Sequence, residues 1–309
     1  RRALYFDLGV PFPGINIRPN PGLPELSYVL NVNEIPMSRG KLEKGMVLAR
    51  DTSENLSMLG VEFKLGERFL PDVEPLVPES KAASLERVGI SIMNHARILA
   101  YHLSLLLARH ASSFLGMQES KYLLDKMEEA PDLVREATRL LPTQRIAEIF
   151  QRLVQEQISI RDLRSILEAL IEWSPKEKDT VMLTEYVRSA LKRQISYMYS
   201  KGRTCLPAIL LDPSVEETIR KAIRQTSAGA FLALDPDTTQ RFLRAVTESA
   251  GKYTANTQKP VLMASMDIRR YVRRLIEASI TACPLFRTKR SRPRFRSSRQ
   301  QDQVVERIG

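Results

Sequence analysis

The chain has 309 residues, of which 43% are apolar and 27% are charged, the balance of a folded protein with two or more domains. Its two cysteines, Cys205 and Cys283, form neither a CxxC motif nor a Cys/His cluster. This argues against a disulfide framework and against a zinc site. The formal net charge of +11 raises nucleic acid or anionic lipid as partners.

Much of the positive charge lies at the end of the chain. Between residues 284 and 309, eight Lys or Arg residues outnumber two acidic ones, a net charge of +6 that leaves +5 for the rest. Such a tail is more typical of a solvated end than of a reader of bases. No run reaches the roughly 18–20 apolar residues of a membrane span. Because the chain opens without Met or a signal peptide, we expect it to be a piece of a longer polypeptide.

Turn-forming residues punctuate the first part of the chain and predict short strands. Pro and Gly separate β-like runs at Gly14–Arg18, Ser27–Val32 and Glu34–Arg39. Residues 45–80 continue in short strands. A helix is then predicted over Ser80–Val88, followed by a short strand over Gly89–Met93.

A long helical zone follows, and one of its helices has a strongly apolar stripe. The apolar spacing predicts helices over His95–Leu115, Glu119–Glu129, Asp132–Leu140, Thr143–Gln157 and Ile160–Trp173. Thr143 is predicted to cap the fourth helix, and Ser159 with Asp162 is predicted to form a capping box for the fifth. The stripe of the fifth helix is predicted to be core, and it contains Ile160, Leu163, Ile166, Leu167, Leu170 and Ile171.

Strands and helices alternate in the last part of the chain, after a predicted helix over Leu183–Tyr199. This order is typical of a small α/β unit. Strands are predicted over Ala208–Leu211, Phe231–Leu234 and Val261–Ala264, and helices over Pro213–Thr226, Pro236–Ala250 and Asp267–Glu277.

Motifs for catalysis, cofactors and metals are missing from the sequence. It has no phosphate-binding loop, no GxGxxG and no GxSxG. Asp212 and Asp235 each precede a proline at the start of a predicted helix, so capping explains them better than acid–base chemistry. His102 and His110 are eight residues apart rather than four, which predicts a structural or surface role instead of a metal pair. We therefore expect no enzyme activity, no cofactor and no bound metal.

A nucleic-acid-binding regulator is the alternative function. The helices predicted over Thr143–Gln157 and Ile160–Trp173 could form a helix-turn-helix, and the tail is basic. The second helix carries Glu168 and Glu172 as well as arginines, and it lacks an Asn/Gln/Arg-rich reading face. We therefore expect no nucleic acid as a partner.

Several long motifs, in order, resemble the FlhA/SctV (FHIPEP) family, the export-gate subunits of type III secretion. The opening LGVPFPG at Leu8 resembles the injectisome branch, and the similarity extends to about residue 286. The motifs are FLGMQE from Phe114, KYLLD from Lys121, VQEQISIRDLRSILE from Val154, LTEYVRSALKR from Leu183, QTSAG from Gln225 and RRYVR from Arg269.

The resemblance implies an α+β cytoplasmic domain of four subdomains. They are a small α/β first subdomain (1–44 and 95–114), an inserted second (45–94), an all-helical third (115–192) and an α/β fourth (193–286). The resemblance further implies an N-terminal membrane domain missing here and an inner-membrane location with this piece facing the cytoplasm. It also implies a homo-oligomeric, nonameric ring that docks chaperone–effector complexes, gatekeeper or switch proteins and other export-apparatus proteins.

A chaperone cleft between the first two subdomains is also implied by the resemblance. Its Thr-His-Leu motif corresponds to Tyr101-His102-Leu103, and its Asp-Pro-x-Phe motif has an approximate counterpart at Arg68-Phe69. Arg68, Phe69, Tyr101 and His102 are therefore candidate partner-binding residues. The alternative for Phe69 and Tyr101 is that both belong to the core.

The tail departs from the family after Phe286. The family continues Ser-Tyr-Gln-Glu-Ile, whereas this chain reads Arg-Thr-Lys-Arg-Ser. Loss of one base from a codon run for the family residues reproduces the observed ones. We therefore expect residues 287–309 to be a frameshifted, disordered basic tail.

Overall fold

The computed structural model describes residues 7–66, 75–203, 205–226, 229–251 and 260–277, together with the backbone of two strands at 285–286 and 305–308. The chain divides into two compact units, Arg1–Arg164 and Ser165–Gly309. Both units contain helices and strands, which confirms the predicted α+β class. The boundary between the two units falls inside the predicted third subdomain (115–192), and the division into four subdomains stays a prediction.

A hairpin begins the first unit. Strands β1 (Ser27–Val32) and β2 (Ile35–Lys41) pair antiparallel, and Asn33 and Glu34 make the turn with φ of 52° and 65°, the left-handed conformation that two-residue hairpins require. The strand predicted over Gly14–Arg18 is wrong, because these residues adopt no regular structure. Flanking prolines, which cannot donate to a strand ladder, disfavour pairing there.

A four-stranded antiparallel sheet follows, with the order β4-β5-β3-β6. Its strands are β3 (Met46–Ala49), β4 (Lys64–Leu65), β5 (Pro75–Pro78) and β6 (Ile92–Met93), and its helices are α1 (Ser53–Met58), α2 (Ala82–Arg87) and α3 (His95–Arg109). Because side chains alternate along a strand, Val47 and Ala49 pack with Leu56 and Leu85 in one cluster. Leu48 belongs to another, formed with Leu76 and Ile98.

Three helices and the start of a fourth complete the first unit. They are α4 (Met117–Asp125), α5 (Pro131–Leu140), α6 (Thr143–Gln155) and α7 (Leu163–Trp173). The predicted core of α7 is confirmed at Ile166, Leu167 and Leu170, which are fully buried.

Both predicted caps in this region are wrong. Pro142 is the N-cap of α6, with no side-chain capping bond. Helix α7 begins at Leu163, too late for Ser159 to be its N-cap, and the Ser159 hydroxyl accepts instead from the Arg161 N–H at 3.4 Å.

The N-terminal residues 8–12 pack inside the first unit. Leu8 and Val10 are buried, and the Ile160 N–H donates to the Leu8 carbonyl at 2.9 Å. Phe12 meets Phe114 edge-to-face, with ring centroids 5.6 Å apart. The LGVPF segment is therefore part of the core of this unit.

The second unit continues with two helices where one was predicted. Helices α8 (Thr180–Ala190) and α9 (Lys192–Ser200) are separated at Leu191 (φ −80°, ψ 12°). In α8 Glu185 is buried, and its carboxylate accepts from the buried guanidinium of Arg269 at 2.5 Å. This pair joins α8 to the last helix of the unit.

A parallel sheet of the order β11-β10-β7-β12 forms the centre of the second unit. Ile209, Leu262 and Val272 lie in its core. The strands are β7 (Ala208–Leu211), β10 (Val261–Met263), β11 (Leu285–Phe286) and β12 (Val305–Ile308), and the helices are α10 (Pro213–Lys221), α11 (Pro236–Gly251) and α12 (Arg269–Glu277). The alternating pattern predicted for this part of the chain is therefore present.

Two features of this unit differ from the sequence predictions. The helix predicted to reach Thr226 ends at Lys221, and β8 (Ile223–Thr226) instead pairs with β9 (Gly229–Leu232) in a separate hairpin. Part of the tail expected to be disordered is a strand, since β12 pairs in parallel with β7. Residues 287–304 and 309 lie outside the described residues.

Both Asp-Pro pairs cap helices, as predicted. The Asp212 carboxylate accepts from the Ser214 N–H at 2.9 Å, and that of Asp235 accepts from the Thr238 N–H at 2.8 Å. The hydrogen bonds from Thr238 lower the pKa of Asp235, since they stabilise its ionised form. Within the described part of the chain, no helix combines the length and apolar character needed to cross a bilayer.

Candidate functional site

His102 is a buried residue of α3 with a hydrogen bond at each ring nitrogen. Its side chain is 3% exposed. Nδ1 lies 2.8 Å from the Tyr28 hydroxyl on β1, and Nε2 lies 2.9 Å from the Ser38 hydroxyl on β2. Burial, and then the charge of Arg109, lower the pKa of His102, while burial raises the pKa of Tyr28 to about 12.

These two bonds connect the β1–β2 hairpin to α3. Gly40 makes the arrangement possible, since a Cβ there would lie 2.3 Å from Cζ of Tyr28. Both ring nitrogens of buried His102 therefore have hydrogen-bond partners within the protein, and its role in partner binding stays a prediction. Of the two roles predicted from the spacing to His110, structural or surface, this geometry fits the structural one.

Tyr101, the neighbouring residue, reaches the surface. Its half-buried side chain packs against the cluster of Leu48, Leu76 and Ile98. The guanidinium of Arg50 lies 5.0 Å from the ring centroid, and Arg50 Nη2 donates to the Tyr101 hydroxyl at 3.5 Å. Tyr101 therefore packs on apolar side chains and exposes its hydroxyl group and part of its ring. Tyrosines placed in this way often anchor protein interfaces.

Sequence reasoning missed Arg50, which directly follows the buried strand β3. A single arginine after an apolar run does not indicate a binding site by itself. Only the fold brings Arg50 next to Tyr101, which lies 51 positions later in the chain. The other two candidates, Arg68 and Phe69, lie outside the described residues. Their role in partner binding stays a prediction.

Other polar groups of the described residues also lie near hydrogen-bonding partners. His95 Nε2 lies 2.9 Å from the Glu43 carbonyl oxygen, and no cluster of three or more His, Cys, Asp or Glu residues there could hold a metal. A polar groove with a volume of about 280 Å³ is lined by Ser112, Ser113, Glu148, Gln151, Arg152 and Gln155. Because Arg152 pairs with Glu148 at 2.7 Å and Gln151 donates to the Leu115 carbonyl, three of its polar side chains already have partners.

Comparisons with known proteins point to one family. The FHIPEP family model matches residues 1–289. Low calcium response locus protein D of Yersinia pestis is 48% identical over 287 residues, which cover 92% of this chain and 41% of the relative. The chain thus spans about two fifths of the length of that relative.

Solved structures show the same fold. The Chlamydia pneumoniae CdsV protein, solved in complex with CdsO, is 44% identical with a TM-score of 0.86, covering 93% of this chain and 84% of that one. The cytosolic domain of EscV from a type III secretion system, solved as a nonamer, is 30% identical with a TM-score of 0.73, covering 93% and 85%.

These relatives are secretion-apparatus proteins rather than known enzymes, and they give no support to the nucleic-acid-binding alternative. The chain therefore belongs to the FHIPEP family of type III secretion export-gate proteins, and its fold is that of their cytoplasmic domain.

Proposed function

We propose that this chain is the docking platform of a type III secretion export gate. It binds chaperone–effector complexes and gatekeeper proteins on its cytoplasmic side and hands substrates to the export pore. The observation that carries the proposal is the surface at Tyr101. The Tyr101 ring packs against the core cluster of Leu48, Leu76 and Ile98, and its centroid lies 5.0 Å from the guanidinium of Arg50. Tyr101 also occupies the position to which the family resemblance assigns a partner contact.

The relatives support the proposed assembly. EscV was solved as a nonameric cytosolic domain, so nine copies of this chain are proposed to form a ring. CdsV was solved together with CdsO, so a protein similar to CdsO is proposed as a further partner. Because the chain spans 41% of its Yersinia relative, the remaining part of a full-length protein is proposed to anchor it in the bacterial inner membrane.

The proposed chaperone surface lies between the predicted first and second subdomains. The contact of Tyr101 on α3 with Arg50 after β3 joins residues that the four-subdomain prediction assigns to different subdomains. Phe69 and Arg68 are proposed to extend this surface. His102 supports it from beneath through Tyr28 and Ser38.

A binding measurement with purified components tests this proposal. The chain is titrated into a labelled chaperone–effector complex from the same secretion system, and its mass is followed by light scattering at increasing concentration. We expect binding that Tyr101→Ala weakens about tenfold or more, as for an interface anchor, together with growth of the mass toward a ring.

Tyr122→Ala is the matched control. Tyr122 is also a helical tyrosine with a cation over its ring, Lys126 at 4.5 Å, and it is 47% exposed. The Tyr122→Ala variant should bind the chaperone–effector complex as tightly as the unaltered chain does. Absence of binding by both the dilute chain and the concentrated assembly would reject the proposed function.

A further inference from the structure

The hairpin of β8 and β9 is anchored to the second unit by one of its two faces. Residues directly opposite each other in an antiparallel pair lie on the same face. Ile223 lies opposite Leu232, and both pack against the core cluster of this unit. The other face carries Phe231, whose side chain is 45% exposed, opposite the exposed Arg224. The hairpin is therefore held in place from below and exposes an aromatic ring above.

The register of the hairpin leaves backbone groups of β9 without a partner. The Ala233 N–H donates to the Ala222 carbonyl at 2.9 Å, and from there hydrogen-bonded pairs alternate with non-bonded pairs along the hairpin. Phe231 belongs to a bonded pair, whereas Ala230 and Leu232 do not. The N–H and C=O groups of these two residues consequently point away from β8. They have no other backbone hydrogen bond in the described part of the chain.

The outer edge of β9 lacks two features that often keep an exposed edge from pairing. Proteins protect such edges with charged side chains and with proline. Strand β2 of the first hairpin contains Pro36, Arg39 and Lys41. Strand β9 reads Gly-Ala-Phe-Leu and contains neither a charge nor a proline. An unpaired edge of this composition is a template for another strand.

The chemistry of this edge specifies what can occupy it. Two N–H groups and two C=O groups in alternation match the main chain of an extended polypeptide. The exposed ring of Phe231 favours an aromatic or β-branched side chain beside it, as in other cross-strand pairs. Because β9 has no charged side chain, a charged residue placed against it would lose hydration without gaining a partner. An uncharged extended segment therefore fits this edge.

We propose that β9 adds an extended, uncharged segment of a protein partner as a third strand of the hairpin. The segment bonds through its main chain to Ala230 and Leu232 and places a Val, Ile or aromatic side chain against Phe231. This inference rests on the proposed function and makes it more specific, because it gives the platform a second docking surface and states the conformation of the segment bound there. Main-chain bonds depend little on sequence, so segments of different sequence can use this surface.

Amide hydrogen exchange followed by NMR tests the inference at the residues concerned. The first probe is a capped peptide of alternating Thr and Val, and the second is the chaperone–effector complex. With either probe at saturation, we expect exchange of the Ala230 and Leu232 amides to slow about tenfold or more. The Phe231 amide, which is already bonded within the hairpin, should keep the exchange rate that it has in the free chain.

The controls separate main-chain bonding from side-chain contact and from net charge. The same peptide N-methylated at its internal amides keeps the side chains but loses the donors, so it should protect neither amide. Phe231→Lys adds a charge of the kind that protects edges and should weaken binding of both probes about fivefold or more. Tyr197→Lys makes the same change of net charge at an aromatic side chain that is 69% exposed, and its affinity should stay within about twofold. Thermal unfolding identifies any variant that fails to fold.

The outcomes distinguish this inference from the proposed function. If the complex binds without protecting Ala230 and Leu232, and Phe231→Lys binds it equally well, the inference is overturned and the docking function stands. If the complex does not bind but the unmodified peptide protects both amides, the docking function fails and the strand-addition site stands. Equal protection by the unmodified and N-methylated peptides, or protection by neither probe, also overturns the inference.

Discussion

At the scale of single residues, the space around Tyr28 decides how the first hairpin meets α3. Gly40 faces the Tyr28 ring so closely that an added Cβ would lie 2.3 Å from Cζ and 2.4 Å from the hydroxyl oxygen. Any side chain there must push the tyrosine away from His102. The small size of Gly40 is therefore a requirement of the Tyr28–His102 bond.

Gly40→Ala should lower the free energy of unfolding by about 1–3 kcal/mol, the usual cost of overpacking a well-packed site. Urea denaturation measures this change. Gly22→Ala is the control, because its Cβ would meet the exposed side-chain oxygen of Asn20 at 3.3 Å, which can move aside. Equal stability of the two variants would contradict the argument.

The protonation of His102 should make the stability depend on pH. Burial and Arg109 lower its pKa in the folded protein below the 6.5 of a free histidine. Between these two pKa values the unfolded chain binds a proton that the folded chain does not. The stabilisation is therefore complete above about pH 6.5 and is lost as the pH falls through the folded pKa.

Comparison with His102→Asn checks this dependence, with unfolding free energies measured from pH 5 to pH 8. The unaltered chain should lose more stability on acidification than the variant, whose side chain does not titrate. The groups around the ring, Tyr28 and Ser38, stay neutral over this range, so they do not mask the effect. Parallel profiles would show that His102 is not the group responsible.

At the scale of elements, periodicity predicted the long helices and buried strands well. The strand over Ala208–Leu211 has the predicted bounds, and the apolar stripes of α6 and α7 are core. Element ends were less well predicted. The break at Leu191 carries no Gly or Pro signal, and the cap expected from Ser159 lies four residues before α7 begins, since Leu163 is its first residue.

The candidate site could be predicted only in part for a related reason. Tyr101 and His102 were found through a family motif on one helix. Their partners Tyr28, Ser38 and Arg50 lie 51 to 74 positions away along the chain, and single-sequence periodicity has no information on such long-range contacts. The chemistry of the site is set by tertiary structure, and the sequence shows only its separate parts.

Helix α7 offers a test of the apolar stripe. Ile166 is fully buried, and Ile166→Asp would place a carboxylate in an apolar core, which should cost about 4 kcal/mol or more. We expect the variant to lose its cooperative thermal transition, as measured by circular dichroism. Glu168→Gln, at an exposed position of the same helix, should melt like the unaltered chain; similar melting of both variants would mean that the stripe is not core.

At the scale of the whole molecule, the net charge and the proposed function lead to different expectations for binding. The net charge of +11 favours nucleic acid, but +6 of it lies after residue 283, and the family model ends at residue 289. Tyr101, at the proposed docking surface, lies in the first unit. Binding of protein partners and attraction to polyanions are thus proposed for different parts of the chain.

Replacing the seven basic residues between positions 287 and 299 by Gln separates these two effects. The change lowers the net charge from +11 to +4 and leaves strand β12 unaltered. Because each phosphate contact adds to the salt dependence of DNA binding, we expect DNA affinity at low salt, measured by fluorescence anisotropy, to fall about tenfold or more. Binding of the chaperone–effector complex should not change.

A tail with the same residues in shuffled order is the matched control. It keeps the charge and should keep the DNA affinity, because counterion release depends on the number of cations rather than on their order. DNA binding that persists after the Gln replacement, with the same salt dependence, would instead locate the interaction in the folded units. That result would favour the nucleic-acid alternative over a platform that recognises proteins.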